Sequence, residues 1–159
     1  MADIELEQAQ AEAFGTLFVL AQHLTRRADA ALDDWGLTTR QWLLLAVLTS
    51  AFPDRSPSLS EAAERYGSSR QNVKQIALGL QERGWVRLET DPADARTTRI
   101  TVTEQVRRFD SPEGVARSRA LLGTAFDGVP RGDVLALRDL TRAWLAALAP
   151  EHPGATHDR

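Results

Sequence analysis

Hydrophobic residues near the start of the chain recur at spacings of three and four, which is the period of an amphipathic α-helix. The stripe runs from Phe14 to Trp35 and would cover about six turns of helix. Gly36 follows it and supplies the left-handed residue that commonly ends a helix. Because a small domain cannot cover so long a stripe, we expect this helix to pack against a partner helix.

A second helix is predicted over about 39–51. Thr38 and Gln41 have the spacing of a capping box, in which the side chain of each residue accepts a hydrogen bond from the backbone N–H of the other. The segment that follows is apolar almost all round. Helices of that kind are usually central, so we expect this one to contribute much of the core.

Two shorter helices follow, joined by a tight turn. Ser58 and Glu61 repeat the capping-box spacing and start a short helix. Either Ser68 or Ser69 then caps a helix over about 70–83. Its apolar positions form one stripe: Val73, Ile76, Ala77 and Leu80. The opposite face is polar.

The period then changes from helical to alternating, which predicts two short strands. Val86 and Leu88 alternate with charged residues, and Ile100 and Val102 alternate with Arg99 and Thr101. The segment 90–97 between them is polar and contains Asp-Pro, a turn signal. Together they predict a β-hairpin with a long, charged tip.

The rest of the chain returns to helix. Ser111 followed by Pro112 is a helix start signal, and a further helix is predicted over about 133–148 after a break at 128–132. The first of these helices should have an inner face of Val115, Leu121, Leu122 and Phe126. The polar segment 150–159 is expected to be a disordered tail.

Composition narrows the class of protein. The chain has 159 residues, enough for one compact domain or one protomer of a small oligomer, and no cysteine, which excludes disulfides and thiolate metal sites. Nothing resembles a secretory signal and the longest apolar run, 43–48, is far short of a membrane span, so we expect a cytoplasmic protein that does not enter membranes.

The net charge of −3 conceals an uneven distribution. Residues 1–64 carry four basic and ten acidic side chains, whereas residues 65–108 carry nine basic and five acidic ones. A basic middle between acidic flanks is expected where one segment faces a polyanion, although scatter of this size also arises without function.

The order of these elements predicts the fold class: a mostly α-helical winged helix-turn-helix with a small β-hairpin wing, flanked by N- and C-terminal dimerisation helices. An α-helix about 10–12 Å across fits the major groove of B-DNA, so side chains near its start reach base edges. A basic wing tip can then contact the backbone or the adjacent minor groove.

Four segments resemble the MarR (multiple antibiotic resistance regulator) family. Residues 58–73, SLSEAAERYGSSRQNV, look like its helix-turn-helix, and residues 80–86, LQERGWV, are similar to its link from recognition helix to wing. Residues 91–96, DPADAR, followed by residues 100–103, ITVT, resemble its wing signature of Asp-x-Arg closed by an alternating strand.

The resemblance implies a domain plan and a function. Residues 38–104 would form the DNA-binding domain, and 4–36 with 105–149 the dimerisation region. Proteins of this family are typically homodimers that bind pseudo-palindromic operators and often release DNA when a small aromatic or anionic ligand binds. We therefore expect a sequence-specific transcriptional regulator, a repressor, with double-stranded DNA, a second copy of itself and such an effector as partners.

The DNA-binding candidates lie on the helix over 70–83 and on the wing. Arg70, Gln71, Asn72, Lys74 and Gln75 have the chemistry for guanine, adenine and phosphate, and Ser69 can cap the helix and offer a phosphate contact. On the wing we expect Arg96 to contact DNA, Asp94 to pair with its guanidinium, and Arg99 to approach phosphate. A solvated helix face and an exposed turn would explain the same residues without DNA.

Other chemistry finds little support. Phe18, His23, Arg27, Trp35 and Trp42 lie in segments that border the family's ligand cleft, although aromatic residues at helical spacing are more often core. No cofactor, metal or catalytic motif is recognisable, so we expect no enzyme. The alternative function is a dimeric winged-helix module that binds protein or small ligands and does not bind DNA.

Overall fold

The computed structural model describes residues 2–148, with side chains from residue 4 onward; the expected tail at 150–159 lies outside them. The described chain is mostly helical with one hairpin, as predicted. Its elements are α1 (Ala2–Leu32), α2 (Thr39–Ala51), α3 (Leu59–Tyr66), α4 (Arg70–Glu82), β1 (Val86–Thr90), β2 (Thr98–Val102), α5 (Pro112–Ala125) and α6 (Arg131–Leu148). Short 3-10 helices occupy Asp33–Trp35 and Glu104–Asp110. One compact unit ends at residue 121 and a second starts at 122, so the division lies inside α5.

Both predicted capping boxes are confirmed. Thr38 N–H donates to Gln41 Oε1 at 3.1 Å, and Gln41 N–H donates to Thr38 Oγ1 at 3.3 Å. At the start of α3, Ser58 N–H donates to Glu61 Oε2 at 2.7 Å and Glu61 N–H donates to Ser58 Oγ at 3.2 Å. The bond from Ser58, together with the guanidinium of Arg55, lowers the pKa of the Glu61 carboxyl.

The core of the first unit lies between α2, α3, α4 and the base of the hairpin. Leu44, Leu45 and Leu48 of α2 are buried, which agrees with the central place expected for that helix. Trp85, between α4 and β1, is fully buried and is the largest such side chain. Each large apolar residue buried in this way stabilises the fold by about 1.5–3 kcal/mol.

The wing contains one pairing that the alternating pattern did not predict. β1 and β2 pair antiparallel, with Leu88 opposite Ile100. The segment before α3 joins them, because Ile100 N–H donates to the carbonyl of Pro57 at 2.9 Å and Ser58 forms a bridge with Arg99. This bridge ties the wing to the start of the helix-turn-helix.

The segment after the wing differs from its predicted form. The chain forms the 3-10 helix Glu104–Asp110 before α5 begins at Pro112, and Ser111 Oγ accepts a hydrogen bond from Gly114 N–H at 3.1 Å. The prediction that Val115, Leu122 and Phe126 belong to the inner face of α5 is wrong for the single chain, because these three side chains are exposed. Gly114 is the buried residue of this helix. The start of α5 approaches the preceding backbone so closely that only glycine fits there.

Candidate nucleic-acid interface

The tight turn between α3 and α4 aims the start of α4 outward. Gly67 ends α3 in the left-handed region, with φ of 75°, which glycine adopts without steric cost. Of the two candidate caps, Ser69 is the N-cap: its Oγ accepts a hydrogen bond from Asn72 N–H at 3.2 Å. The turn therefore leaves the first residues of α4 at the surface.

α4 has two distinct faces. The predicted apolar stripe is buried, and Val73, Ala77 and Leu80 have no exposed surface. The structure brings four of the five predicted residues together as exposed side chains: Arg70, Gln71, Lys74 and Gln75. The core on one side holds the helix rigidly, and the polar face on the other is free to meet a partner.

Asn72 differs from the other predicted residues of this face. It is half-buried. Its Oδ1 accepts a hydrogen bond from Arg40 Nη2 at 2.8 Å, and its Nδ2 donates to Ser68 Oγ at 2.7 Å. A bidentate contact with adenine needs both ends of the amide, and here each end already holds one hydrogen bond that fixes its direction.

The wing tip corrects the expected role of Asp94, which does not pair with the guanidinium of Arg96. Its carboxylate accepts hydrogen bonds from Arg96 N–H at 3.0 Å and from Thr97 Oγ1 at 2.8 Å. Aspartate commonly closes a turn in this way, by bonding its own backbone two residues on. These two bonds lower the pKa of Asp94.

Arg99 is engaged inside the wing. Its Nε donates to Asp91 Oδ2 at 2.5 Å and its Nη1 to the carbonyl of Ser56 at 2.9 Å. Asp91 is buried, and the backbone N–H of Ala93 together with Arg99 lowers its pKa. Arg99 thus joins the wing to the loop before α3, and two of its three nitrogens are occupied.

Several cations near α4 and the wing have no counter-charge. Arg87 pairs with Glu89, and Arg107 pairs with Glu104. By contrast, no ion pair found among residues 4–148 involves the exposed side chains of Arg40, Arg65, Arg70, Lys74 or Arg96. Charge spacing along the sequence did not reveal Arg40, which precedes the helix-turn-helix.

The predicted ligand residues are not gathered at one place. Trp42 lines a cleft of about 310 Å³ between α2 and the segment before α5. The other lining residues are Leu45, Ala46, Thr49, Val106, Phe109 and Asp110. Phe18, His23, Arg27 and Trp35 are outside this lining, and His23 shares a hydrogen bond with Arg26 on α1.

Phe109 was not identified from the sequence, since it lies in a 3-10 helix without clear periodicity. Its ring is 4.5 Å from that of Trp35, edge to face, and 5.4 Å from that of Trp85, stacked. Arg108 lies over both tryptophans. Phe109 therefore joins the 3-10 helix that follows α1, the base of the wing and the cleft lined by Trp42.

Two observations concern other functions. Within residues 4–148, no group of three or more His, Cys, Asp or Glu side chains is arranged to hold a metal ion. None of the helices described between residues 2 and 148 combines the length and apolar character needed to cross a membrane.

Comparison with known proteins agrees with this geometry. Residues 35–97 match the sequence model of the MarR family. The transcriptional activatory protein BadR of Rhodopseudomonas palustris is 27% identical over 133 residues, which are 84% of this chain and 75% of BadR.

Solved structures share the fold. CouR from Rhodococcus jostii, solved with p-coumaroyl-CoA bound, is 26% identical with a TM-score of 0.64; the match covers 81% of this chain and 88% of that one. Sco3205 from Streptomyces coelicolor, a MarR family transcriptional regulator solved with DNA, is 23% identical with a TM-score of 0.68; the match covers 91% of this chain and 90% of that one.

Proposed function

We propose that the protein is a sequence-specific DNA-binding repressor, because residues 35–97, which include most of its winged helix-turn-helix, match the sequence model of the MarR family. It binds a pseudo-palindromic operator as a homodimer, and a small aromatic or anionic ligand releases it. The observation that carries the proposal is the exposed polar face of α4, whose opposite face is fixed in the core.

The chemistry of that face suits a major groove. Arg70 has a planar fork of donors for guanine, and the amides of Gln71 and Gln75 suit adenine. Lys74 offers a compact charge to phosphate, which binds without reading sequence. At the wing, Arg96 is exposed and its charge is not neutralised by Asp94, so it is available to the DNA backbone.

A homodimer is supported by apolar surface that one chain leaves uncovered. α1 exposes Phe14, Phe18, Val19, Leu20 and Leu24, and exposed apolar patches of that extent usually mark protein interfaces. In the second unit, α6 exposes six further large side chains: Leu135, Leu137, Leu140, Trp144, Leu145 and Leu148. A dimer would place two recognition helices about 34–36 Å apart, one turn of B-DNA.

An effector site is supported by the cleft beside Trp42 and Phe109. Two aromatic rings and Thr49 offer stacking and one hydroxyl, which fits an aromatic ligand. CouR, which shares the fold, was solved with an aromatic thioester. A ligand that favours the non-binding arrangement of the dimer by about 2 kcal/mol would lower operator affinity about 30-fold.

DNA titration tests the central claim. The purified protein is titrated against duplexes from upstream of its own coding region and against scrambled duplexes, at about 50 and 200 mM salt. We expect tight binding, sensitive to salt, with strong preference for an upstream duplex. Weak binding to both at either salt would favour the alternative, a winged-helix module that binds protein or small ligands.

Sedimentation tests the homodimer separately. Phe18→Glu places a charge in the apolar face of α1 and should give a monomer. Ser60→Glu is the matched control, because it adds the same charge at an exposed position of α3, outside the apolar faces of α1 and α6. If wild type itself sediments as a monomer at micromolar concentration, the proposed dimer is wrong.

A further inference from the structure

Arg40 lies at the point where three helices of the winged domain meet. It is the second residue of α2 and is exposed. Its Nη2 donates to Asn72 Oδ1 on α4 at 2.8 Å, and its carbonyl accepts a hydrogen bond from the Tyr66 hydroxyl at the end of α3, at 3.3 Å. The side chain therefore lies beside the first turn of the recognition helix.

The orientation of Asn72 follows from the chemistry of its neighbours. A guanidinium has only donors, so the amide must turn its oxygen toward Arg40. The amide nitrogen then faces Ser68 Oγ at 2.7 Å, where it donates. Because both ends of the amide are held, Asn72 fixes the direction of Arg40.

Arg40 keeps most of its binding capacity in this arrangement. The bond to a neutral amide occupies one of its five N–H groups and leaves its charge intact. No carboxylate in the described residues pairs with it. A cation that is exposed, oriented in advance and adjacent to a recognition helix is suited to bind a phosphate of the operator backbone.

We infer that Arg40 is a DNA-backbone contact and that Asn72 is its positioning residue rather than a reader of adenine. The inference rests on the proposed DNA-binding function and adds to its interface a residue that lies well before the helix-turn-helix in sequence. It also explains why a polar side chain in the first turn of α4 is half-buried.

The experiment uses the full-length chain and two duplexes: one selected from a random library by the wild-type protein, and one of random sequence. Affinity is measured from about 50 to 200 mM salt, so that the slope counts phosphate contacts. The variants are Arg40→Ala, Arg40→Gln, Arg40→Lys, Asn72→Ala and the double variant. Arg142→Ala, which removes an exposed arginine from α6, is the control for loss of charge.

Changes at Arg40 should act through charge. Arg40→Ala should weaken both duplexes alike and reduce the salt slope by about one per protomer. Arg40→Gln keeps a donor for Asn72 but has no charge, so it should lose the same slope. Arg40→Lys should retain the slope, and Arg142→Ala should leave it unchanged.

Asn72→Ala releases the direction of Arg40 without removing its charge. We expect both duplexes to weaken by a similar factor, roughly two- to tenfold, which is the effect of ordering one long side chain. The double variant should bind no more weakly than Arg40→Ala, because the two residues act as a unit.

Two results would overturn the inference. One is an unchanged salt slope in both Arg40→Ala and Arg40→Gln, with thermal unfolding showing that the variants are folded. The other is a loss in Asn72→Ala that is confined to the selected duplex, which would make Asn72 a base reader. If wild type binds neither duplex, the proposed function itself fails, and that result is separate from either of these.

Discussion

The carboxylate of Asp91 lies 2.5 Å from Arg99 Nε, and Asp91 is the one buried charged side chain among residues 4–148. Arg99 also donates to the carbonyl of Ser56, which precedes α3. The pair therefore connects the end of β1 to β2, and Arg99 joins both strands to the segment before the helix-turn-helix. A wing fixed in this way can present its tip in one direction.

The first prediction concerns pH. The folded-state pKa of Asp91 lies below its ordinary value of 3.8, so unfolding takes up protons as the pH falls below that value. The stability that Asp91 contributes is fully present above 3.8 and is lost as the pH falls through its lower folded-state pKa. Asp91→Asn should therefore be less stable than wild type at neutral pH and lose less on acidification.

Urea unfolding at neutral pH and at several pH values below about 4 measures this difference. The free energy of unfolding changes with pH wherever the folded and unfolded states bind different numbers of protons. Asp54→Asn, in the exposed loop after α2, serves as the control and should follow wild type. Parallel acid profiles for Asp91→Asn and wild type would contradict the prediction.

Base reading by α4 is tested at Gln71, which is exposed beside Asn72. Gln71→Ala should cost about 1–3 kcal/mol on the selected operator and relax base preference at one position. Binding to random DNA should hardly change, because no phosphate contact is removed. Titration of a set of single-base variants of the operator gives the answer; an equal loss on every duplex would remove the reading role.

The wing tip is tested at Arg96, whose guanidinium is not held by Asp94. Arg96→Ala should weaken operator and random DNA alike and flatten the salt dependence by about one unit per protomer. Arg87→Ala, on β1 and already paired with Glu89, is the comparison. If the slope of Arg96→Ala equals that of wild type, the tip does not contact phosphate.

The effector cleft is tested at Trp42. Trp42→Ala removes one of the two aromatic walls and should abolish release from DNA by an aromatic acid that acts on wild type, with operator affinity in the absence of that acid unchanged. Fluorescence titration of the wild-type protein with a panel of aromatic acids and phenols identifies the ligand to be used. Trp42 would be excluded from the site if the variant responded to the same acid at the same concentration.

The packing at Phe109 gives a prediction about stability. Phe109→Ala removes a half-buried ring that contacts both Trp35 and Trp85, and should lower the free energy of unfolding by about 1–3 kcal/mol. Phe109→Leu keeps much of the volume and should lose less. Urea unfolding monitored by tryptophan fluorescence compares the two. Equal stability of Phe109→Ala and wild type would mean that the ring contributes no net packing.

Much of the fold is determined by local sequence. Capping boxes fix where α2 and α3 begin, and the left-handed Gly67 fixes where α3 ends, because the hydrogen-bond partners lie within four residues. The change from a helical to an alternating period fixes the hairpin, since it decides which side chains share a face. The apolar and polar faces of α4 follow from the same rule, and four of its five predicted polar residues are exposed together.

The tertiary structure decided which polar groups are free and which are already engaged. Asn72 meets Arg40 from 32 residues away, and Arg99 meets the carbonyl of Ser56 from 43 residues away. Phe109 lies between Trp35 and Trp85 only because three separate segments converge there. Spacing along a chain encodes faces and turns, whereas the partner of a side chain depends on how distant segments pack. For that reason the sequence predicted the exposed polar face of α4, and only the tertiary structure showed that Asn72 and Arg99 are already engaged by distant residues.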